Sequence, residues 1–163
     1  MTTRKVTDDD QAIRDGGPRT THDRSIAGTR LPRWLDPQLL GRWFAPAGFT
    51  VRKAEVDERV GGRLSIWHAD GAGNDVGGSE SEIVELVPGE RIVLHWQFVG
   101  PDRTTDPAMA TRLTVTFTPT PDGTQLNLTH DRLDGLRDGY PHIAEQVGPG
   151  WESALDALVA VGW

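Results

Sequence analysis

From Thr50 onward, apolar and polar residues alternate with a period of two, in runs at 50 to 58, 63 to 69, 79 to 87, 91 to 99, 111 to 118 and 124 to 130. Alternation of this kind predicts half-buried strands. The links between runs are turn chemistry: Gly61-Gly62, the Gly-rich stretch 71 to 78, Pro88-Gly89, the loop 100 to 110, and Pro121-Asp122-Gly123. Links this short join antiparallel neighbours. Ile92, Leu94, Trp96 and Phe98 fall on one face of their strand, with His95 and Gln97 opposite. Leu113, Val115 and Phe117 share a face in the next run, then Leu126, Leu128 and His130, with Thr114, Thr116, Asn127 and Thr129 opposite. One side of the sheet is therefore dry and the other wet.

A dry sheet face needs a cover, and the long helical candidate is the stretch from about Pro141 to Val161. Ile143, Val147, Trp151, Ala154, Leu155 and Leu158 recur there at three- and four-residue spacing and form one stripe. Upstream, residues 29 to 35 and 37 to 44 are expected as two short helices separated at Asp36-Pro37, an Asp cap followed by Pro at the first helical position. Residues 22 to 28 offer only Ile26 and Ala27 to pack as a first strand, and residues 1 to 21 are too polar to build a buried face. The expected organisation is a flexible tail over 1–21 and a single domain over 22–163. Its fold class is α+β, a curved antiparallel sheet of six to seven strands wrapped around the C-terminal helix.

Composition narrows the chemistry. The chain has 163 residues, enough for one domain with its own core. It has no cysteine, which removes disulfides, thiol nucleophiles, Cys-ligated zinc and iron-sulfur clusters. A formal net charge of −7 disfavours nucleic acid, whose backbone calls for a basic partner. No apolar run has signal-peptide or membrane-spanning length, so the expected location is cytoplasmic, without a membrane. The five histidines are scattered, and no metal site or cofactor is expected.

The segments Trp34-Leu35-Asp36-Pro37-Gln38-Leu39-Leu40-Gly41-Arg42-Trp43-Phe44, Val56-Asp57-Glu58-Arg59-Val60-Gly61-Gly62-Arg63-Leu64 and Val87-Pro88-Gly89-Glu90-Arg91-Ile92 carry a family resemblance. So do Thr114-Val115-Thr116-Phe117, Gly123-Thr124-Gln125-Leu126-Asn127-Leu128-Thr129-His130 and Gly150-Trp151. In this order, from about residue 30 to the C-terminus, the chain resembles the SRPBCC, or START-like, superfamily. Within it, the chain is similar to the branch named after the C-terminal domain of the activator of heat-shock-protein-90 ATPase. The resemblance implies a helix-grip fold with a cavity between sheet and helix, and a stress-related role through the branch's name. Such relatives usually have a well-patterned first strand and a smooth helix into Asp36-Pro37. Here the strand is poor and Pro32 interrupts the helix.

The space between sheet and helix is the candidate site, with Trp43, Trp96, Phe98, Val115, Phe117, Leu128, Trp151 and Leu155 as its expected walls. Trp67 joins them if Ser65 and Trp67, and not Leu64 and Ile66, point inward. His130 is the polar handle, either a ligand donor and general base or a core histidine satisfied by its neighbours. Asp57 with Gly61-Gly62 reads as turn architecture, the aspartate holding backbone donors. Gly71-x-Gly73 is a hairpin loop, and Glu80, Glu82 and Glu85 form a solvated strand face. Asn127-Leu128-Thr129 matches a glycosylation sequon that a chain without a signal peptide would not use.

Three functions remain from these readings. The first is binding of a small hydrophobic or aromatic molecule. The second is a cyclase, dehydratase or hydrolase using His130, which lacks an evident ionisable partner on the dry face. The third is chaperone regulation, although the eukaryotic activators carry an N-terminal domain for which this chain is too short. Oligomeric state, a homodimer included, stays open.

Overall fold

The computed structural model describes residues 18–28, 33–102 and 105–161. Seven strands form one antiparallel sheet: β1 (Thr20–Ala27), β2 (Thr50–Val56), β3 (Arg63–Ala69), β4 (Asp75–Val87), β5 (Arg91–Val99), β6 (Thr111–Thr120) and β7 (Gly123–Asp131). Their order is β1-β7-β6-β5-β4-β3-β2, so the chain meanders from β2 to β7 and β1 closes the far edge. Register shifts at Val51/Lys53, His68/Ala69 and Ile83/Glu85 mark irregularities of the bulge type, which sharpen local twist and help the sheet curl. Helices α1 (Pro37–Trp43), α2 (Asp134–Gly139) and α3 (Pro141–Val161) complete the fold, the last lying along the inner face as a helix-grip α+β architecture requires.

The alternation works as expected on the inner face: Leu94, Leu113, Val115, Leu126 and Leu128 are fully buried. Against them α3 buries Val147, Trp151, Ala154, Leu155 and Leu158, the expected stripe with Ile143 half-buried at its start. Pro149 lies inside α3, where it has no amide hydrogen to give to the Glu145 carbonyl. Asp36 caps α1 by accepting from the Gln38 amide at 2.9 Å, with Pro37 at the first turn.

An aromatic cluster ties α1 to the rest. Trp34 meets Trp43 at a ring separation of 4.5 Å, Phe117 at 6.3 Å and Trp151 at 6.3 Å, while Phe44 meets Trp151 at 5.3 Å. Such edge-on and tilted contacts add to simple burial. Residues from α1, the turn before it, β6 and α3 thus share one core.

Several boundaries differ from expectation. The poor first strand is real, paired with β7 from Thr20↔His130 to Ala27↔Gly123, and it begins inside the segment assigned to the tail. Its inner positions are His22, Arg24 and Ile26. Arg24 holds Asp156 at 3.1 Å and also bonds Glu152, so ion pairs to α3 replace the missing apolar residues. Of the helix expected at 29 to 35, residues 29–32 lie outside the described residues, and Trp34-Leu35 form a turn. β4 starts at Asp75, four residues early, because the hairpin tip is only Asp70 to Asn74, where Asp70 Oδ1 accepts from the Ala72 and Asn74 amides. α2 was not expected; its sequence, Asp-Gly-Leu-Arg-Asp-Gly, is poor in helix formers.

The Asp57 to Gly62 turn is architectural, but by a different route than expected. The Asp57 carboxylate takes Arg59 Nε at 2.8 Å, and it is the Asp57 main-chain carbonyl that receives the Arg59 amide. Gly61 donates to the Ile83 carbonyl and Ile83 donates to the Gly62 carbonyl, which pins the turn onto β4. A Cβ on Gly62 would stand 2.0 Å from the Asp57 carbonyl oxygen, whereas one on Gly71 would meet nothing within 4 Å. Gly62→Ala is expected to lower unfolding free energy by about 1–3 kcal/mol, the usual range for forced overpacking. Gly71→Ala should stay within about 0.5 kcal/mol of the parent. Urea melts of both variants check this, and equal midpoints would refute it.

Candidate functional site

A cavity of about 690 Å³ opens between the N-terminal half of α3, the segment Phe44–Phe49 and the inner face of β3 to β5. The period-two pattern brings Trp96 and Phe98 to its wall from β5, and helical spacing brings Ile143, Val147, Trp151 and Ala154 from α3. Phe44 and Phe49 complete the apolar lining, and Phe49, His142 and Gln146 are solvent-exposed. No Asp, Glu, Lys or Arg is among the described residues that line it.

Four of the expected wall residues meet here: Trp96, Phe98, His130 and Trp151. Val115, Phe117, Leu128 and Leu155 do not reach the cavity; they are packed in the core. The reason is where the helix sits. The C-terminal half of α3 presses directly on the inner face and leaves space only beside its N-terminal half. Trp43 is likewise in the core, where it borders a smaller cavity of about 290 Å³ on the other side of the segment 45–49. Trp67 is excluded by strand parity: Leu64 and Ile66 are the buried pair, so Trp67 lies with Ser65 on the outer face.

His130 is 1% exposed, and both its ring nitrogens are engaged. Trp151 Nε1, which can only donate, bonds Nδ1 at 3.1 Å. That assigns the ring proton to Nε2, which donates to Thr111 Oγ1 at 2.6 Å. The Thr111 hydroxyl in turn donates to the Trp96 carbonyl at 3.3 Å. The relay crosses α3, β7, β6 and β5, and every donor in it has an acceptor. Burial, with a smaller electrostatic push from His22, holds the imidazole down at about 3, so it is neutral at pH 7. His22 is itself bonded through Nδ1 to Glu152 at 2.5 Å. The arrangement is that of a satisfied core histidine, with its ring edge-on to Trp96 at 5.0 Å.

The polar cavity residues that the sequence reading missed are His68 and Ser79 on the sheet and His142, Gln146 and Ser153 on α3. The same parity that buries Leu64 and Ile66 turns His68 inward, so the signal was present once that register was decided. His68 Nε2 donates to the Phe44 carbonyl at 2.8 Å, and burial lowers its imidazole below the usual value. The remaining motif readings stand as architecture: Glu80 accepts from Ser65 Oγ at 2.6 Å, and Glu85 pairs with Arg91 at 3.2 Å. Among the described residues, no group of His, Asp and Glu has metal-ligating geometry, and no helix is long and apolar enough to cross a membrane.

The relay carries a pH signature. The folded His130 sits at about 3 against 6.5 for a free imidazole, so between these values the unfolded chain binds the extra proton. Stability is therefore full above pH 6.5 and falls as pH drops through this window, by about 1.4 kcal/mol per pH unit from this group. In His130→Gln that component should vanish, so denaturant melts at pH 7.5, 5.5 and 4.5 should give a shallower decline than the parent's. A parent-like slope would contradict the assignment.

Among curated proteins, none matches the chain. Solved structures do. A Chromobacterium violaceum protein is 28% identical, covers 89% of this chain and 97% of its own, and superposes with a TM-score of 0.69. The AHSA1 protein of Silicibacter pomeroyi is 19% identical over 88% of this chain and 96% of its own, with a TM-score of 0.69. A protein from Arthrobacter aurescens is 17% identical over 98% and 88%, with a TM-score of 0.73. At identities below 25% the latter two speak for the fold alone. The model of the family described as Activator of Hsp90 ATPase homolog 1-like protein matches residues 33–162. This chain therefore belongs to the Activator of Hsp90 ATPase homolog 1-like family, a branch of the SRPBCC superfamily.

Proposed function

We propose that this protein binds a small apolar molecule, with at least one flat ring system, in the cavity beside the N-terminal half of α3. The observation that carries the reading is the cavity itself: about 690 Å³, walled by Phe44, Trp96, Phe98 and Trp151, and free of charged side chains among the described residues. Volumes of roughly 300–1,000 Å³ with mostly apolar walls and a few polar groups are characteristic of small-molecule sites. Transfer of apolar ligand surface out of water would supply the affinity, and edge or face contacts with the indoles the preference for rings.

An acid-base enzyme at His130 is disfavoured by the relay. Its Nδ1 lone pair is occupied by Trp151, its Nε2 proton by Thr111, and its depressed basicity leaves it a weak proton acceptor at pH 7. The chaperone reading rests on the family's description, and no feature of the described surface adds to it.

Gly150 provides a direct test. It lines the cavity, and a Cβ there would meet only the Pro46 side chain at 3.7 Å, an ordinary contact. Gly150→Phe should fill the cavity while replacing a poor helix former, so the fold should persist. The neutral dye N-phenyl-naphthylamine should bind the parent with increased emission and quench tryptophan fluorescence. Its affinity for Gly150→Phe should drop about tenfold, the equivalent of about 1.4 kcal/mol. Equal binding to both proteins, each folded by circular dichroism, would remove the cavity as the site.

A further inference from the structure

The polar groups of the cavity are unequally available. His130 offers no free nitrogen, whereas His68 does. Because the Phe44 carbonyl can only accept, the His68 ring proton is assigned to Nε2 and Nδ1 is left as a lone-pair acceptor. Among the described residues Nδ1 has no hydrogen-bond partner, and it is not one of the sealed polar atoms of the core. Ser79 stands next to it. Ile66 pairs with Ser79 and His68 with Gly77, so His68 and Ser79 are diagonal neighbours on the inner face, within the reach of such pairs. The Ser79 hydroxyl makes no hydrogen bond to a described residue, and both side chains line the cavity.

We propose that the cavity selects an uncharged, ring-containing ligand that carries a hydroxyl group, docked with its O–H donating to His68 Nδ1 and its oxygen accepting from Ser79 Oγ. A hydroxyl supplies one donor and has lone pairs to accept, which matches an acceptor beside a hydroxyl. A carboxylate is selected against, since among the described residues no Lys or Arg lines the cavity to offset its lost hydration. The lowered basicity of His68 keeps its lone pair free at pH 7 and prevents it from serving as that cation. Of the other polar lining side chains, His142 and Gln146 are exposed to solvent and the half-buried Ser153 of α3 is shared with the smaller cavity, so the His68 and Ser79 pair is the polar point with a free acceptor on the sheet side.

This inference rests on the cavity being a ligand site, and a matched set of probes separates the two claims. Para-phenylphenol, para-methoxybiphenyl and para-phenylbenzoate share a two-ring body and present a hydroxyl, an ether without a donor, and an anion. Calorimetric titration at pH 7.5 should give the phenol an affinity about tenfold above the ether, in line with one well-made hydrogen bond, and the carboxylate the weakest binding. In His68→Leu the phenol and ether should converge to within about twofold, and in Ser79→Ala the phenol should bind more weakly than to the parent, with folding checked by circular dichroism. Equal affinities of phenol and ether for the parent, a gap that survives His68→Leu, or tightest binding of the carboxylate would each overturn this inference while leaving the cavity reading intact. If neither neutral probe binds the parent, the cavity reading falls and this inference with it. The comparison within the parent protein does not depend on either variant folding.

Discussion

A seven-stranded sheet with one apolar face is unstable in water until something covers that face, and in this chain the cover is α3. The docking of α3 governs the rest of the molecule. Its buried stripe from Val147 to Leu158 closes over the inner face, and Trp151 at the middle of the stripe does two further things. One edge of the indole joins the aromatic cluster with Trp34 and Phe44, and its N–H reaches His130. The helix is thus fixed by packing on one side and by a directional bond on the other. The cavity is what remains where the helix stands off from β3 to β5.

The Trp151, His130, Thr111 and Trp96 relay shows why a histidine can occupy a core. An unpaired buried imidazole would cost the solvation of two nitrogens. Here every polar atom is matched, and the direction of each donor is dictated by the indole, which has no acceptor to offer. His22 is handled less completely: Nδ1 is held by Glu152, while Nε2 is buried with no partner among the described residues. It sits on β1, whose attachment relies on Arg24 and the acidic groups of α3 more than on apolar burial. The two histidines, diagonal neighbours across the β1–β7 ladder, illustrate two qualities of polar burial.

Most of the fold was legible in the sequence because its signals are local. Period-two alternation placed β5, β6 and β7 with their inner residues, and three-four spacing placed α3 from Pro141 to Val161. β1 was faint because partners across the fold, not its own apolar content, hold it in place. α2 left no pattern because two glycines occupy its six residues. The site was less legible than the fold for a different reason. Parity says which face a residue occupies but not whether a helix lies on it, so Val115, Phe117, Leu128 and Leu155 were placed at the cavity when they fill the core beneath α3. His68 was hidden behind an undecided register at Trp67, and the decision that moved the indole outward moved the imidazole inward.

Pro149 gives α3 two mechanical parts. Without an amide hydrogen at that position the Glu145 carbonyl has no helical partner, so the turns carrying His142, Ile143 and Gln146 are joined to the anchored half by one hydrogen bond fewer than an unbroken helix would have. The anchored half sets the core, while the softer half forms the outer wall of the cavity. If the cavity holds a ligand as proposed, variation in its girth would be absorbed by tilting one short stretch of helix, without repacking the sheet. A rigid scaffold with one compliant wall favours tolerance of size over tolerance of charge.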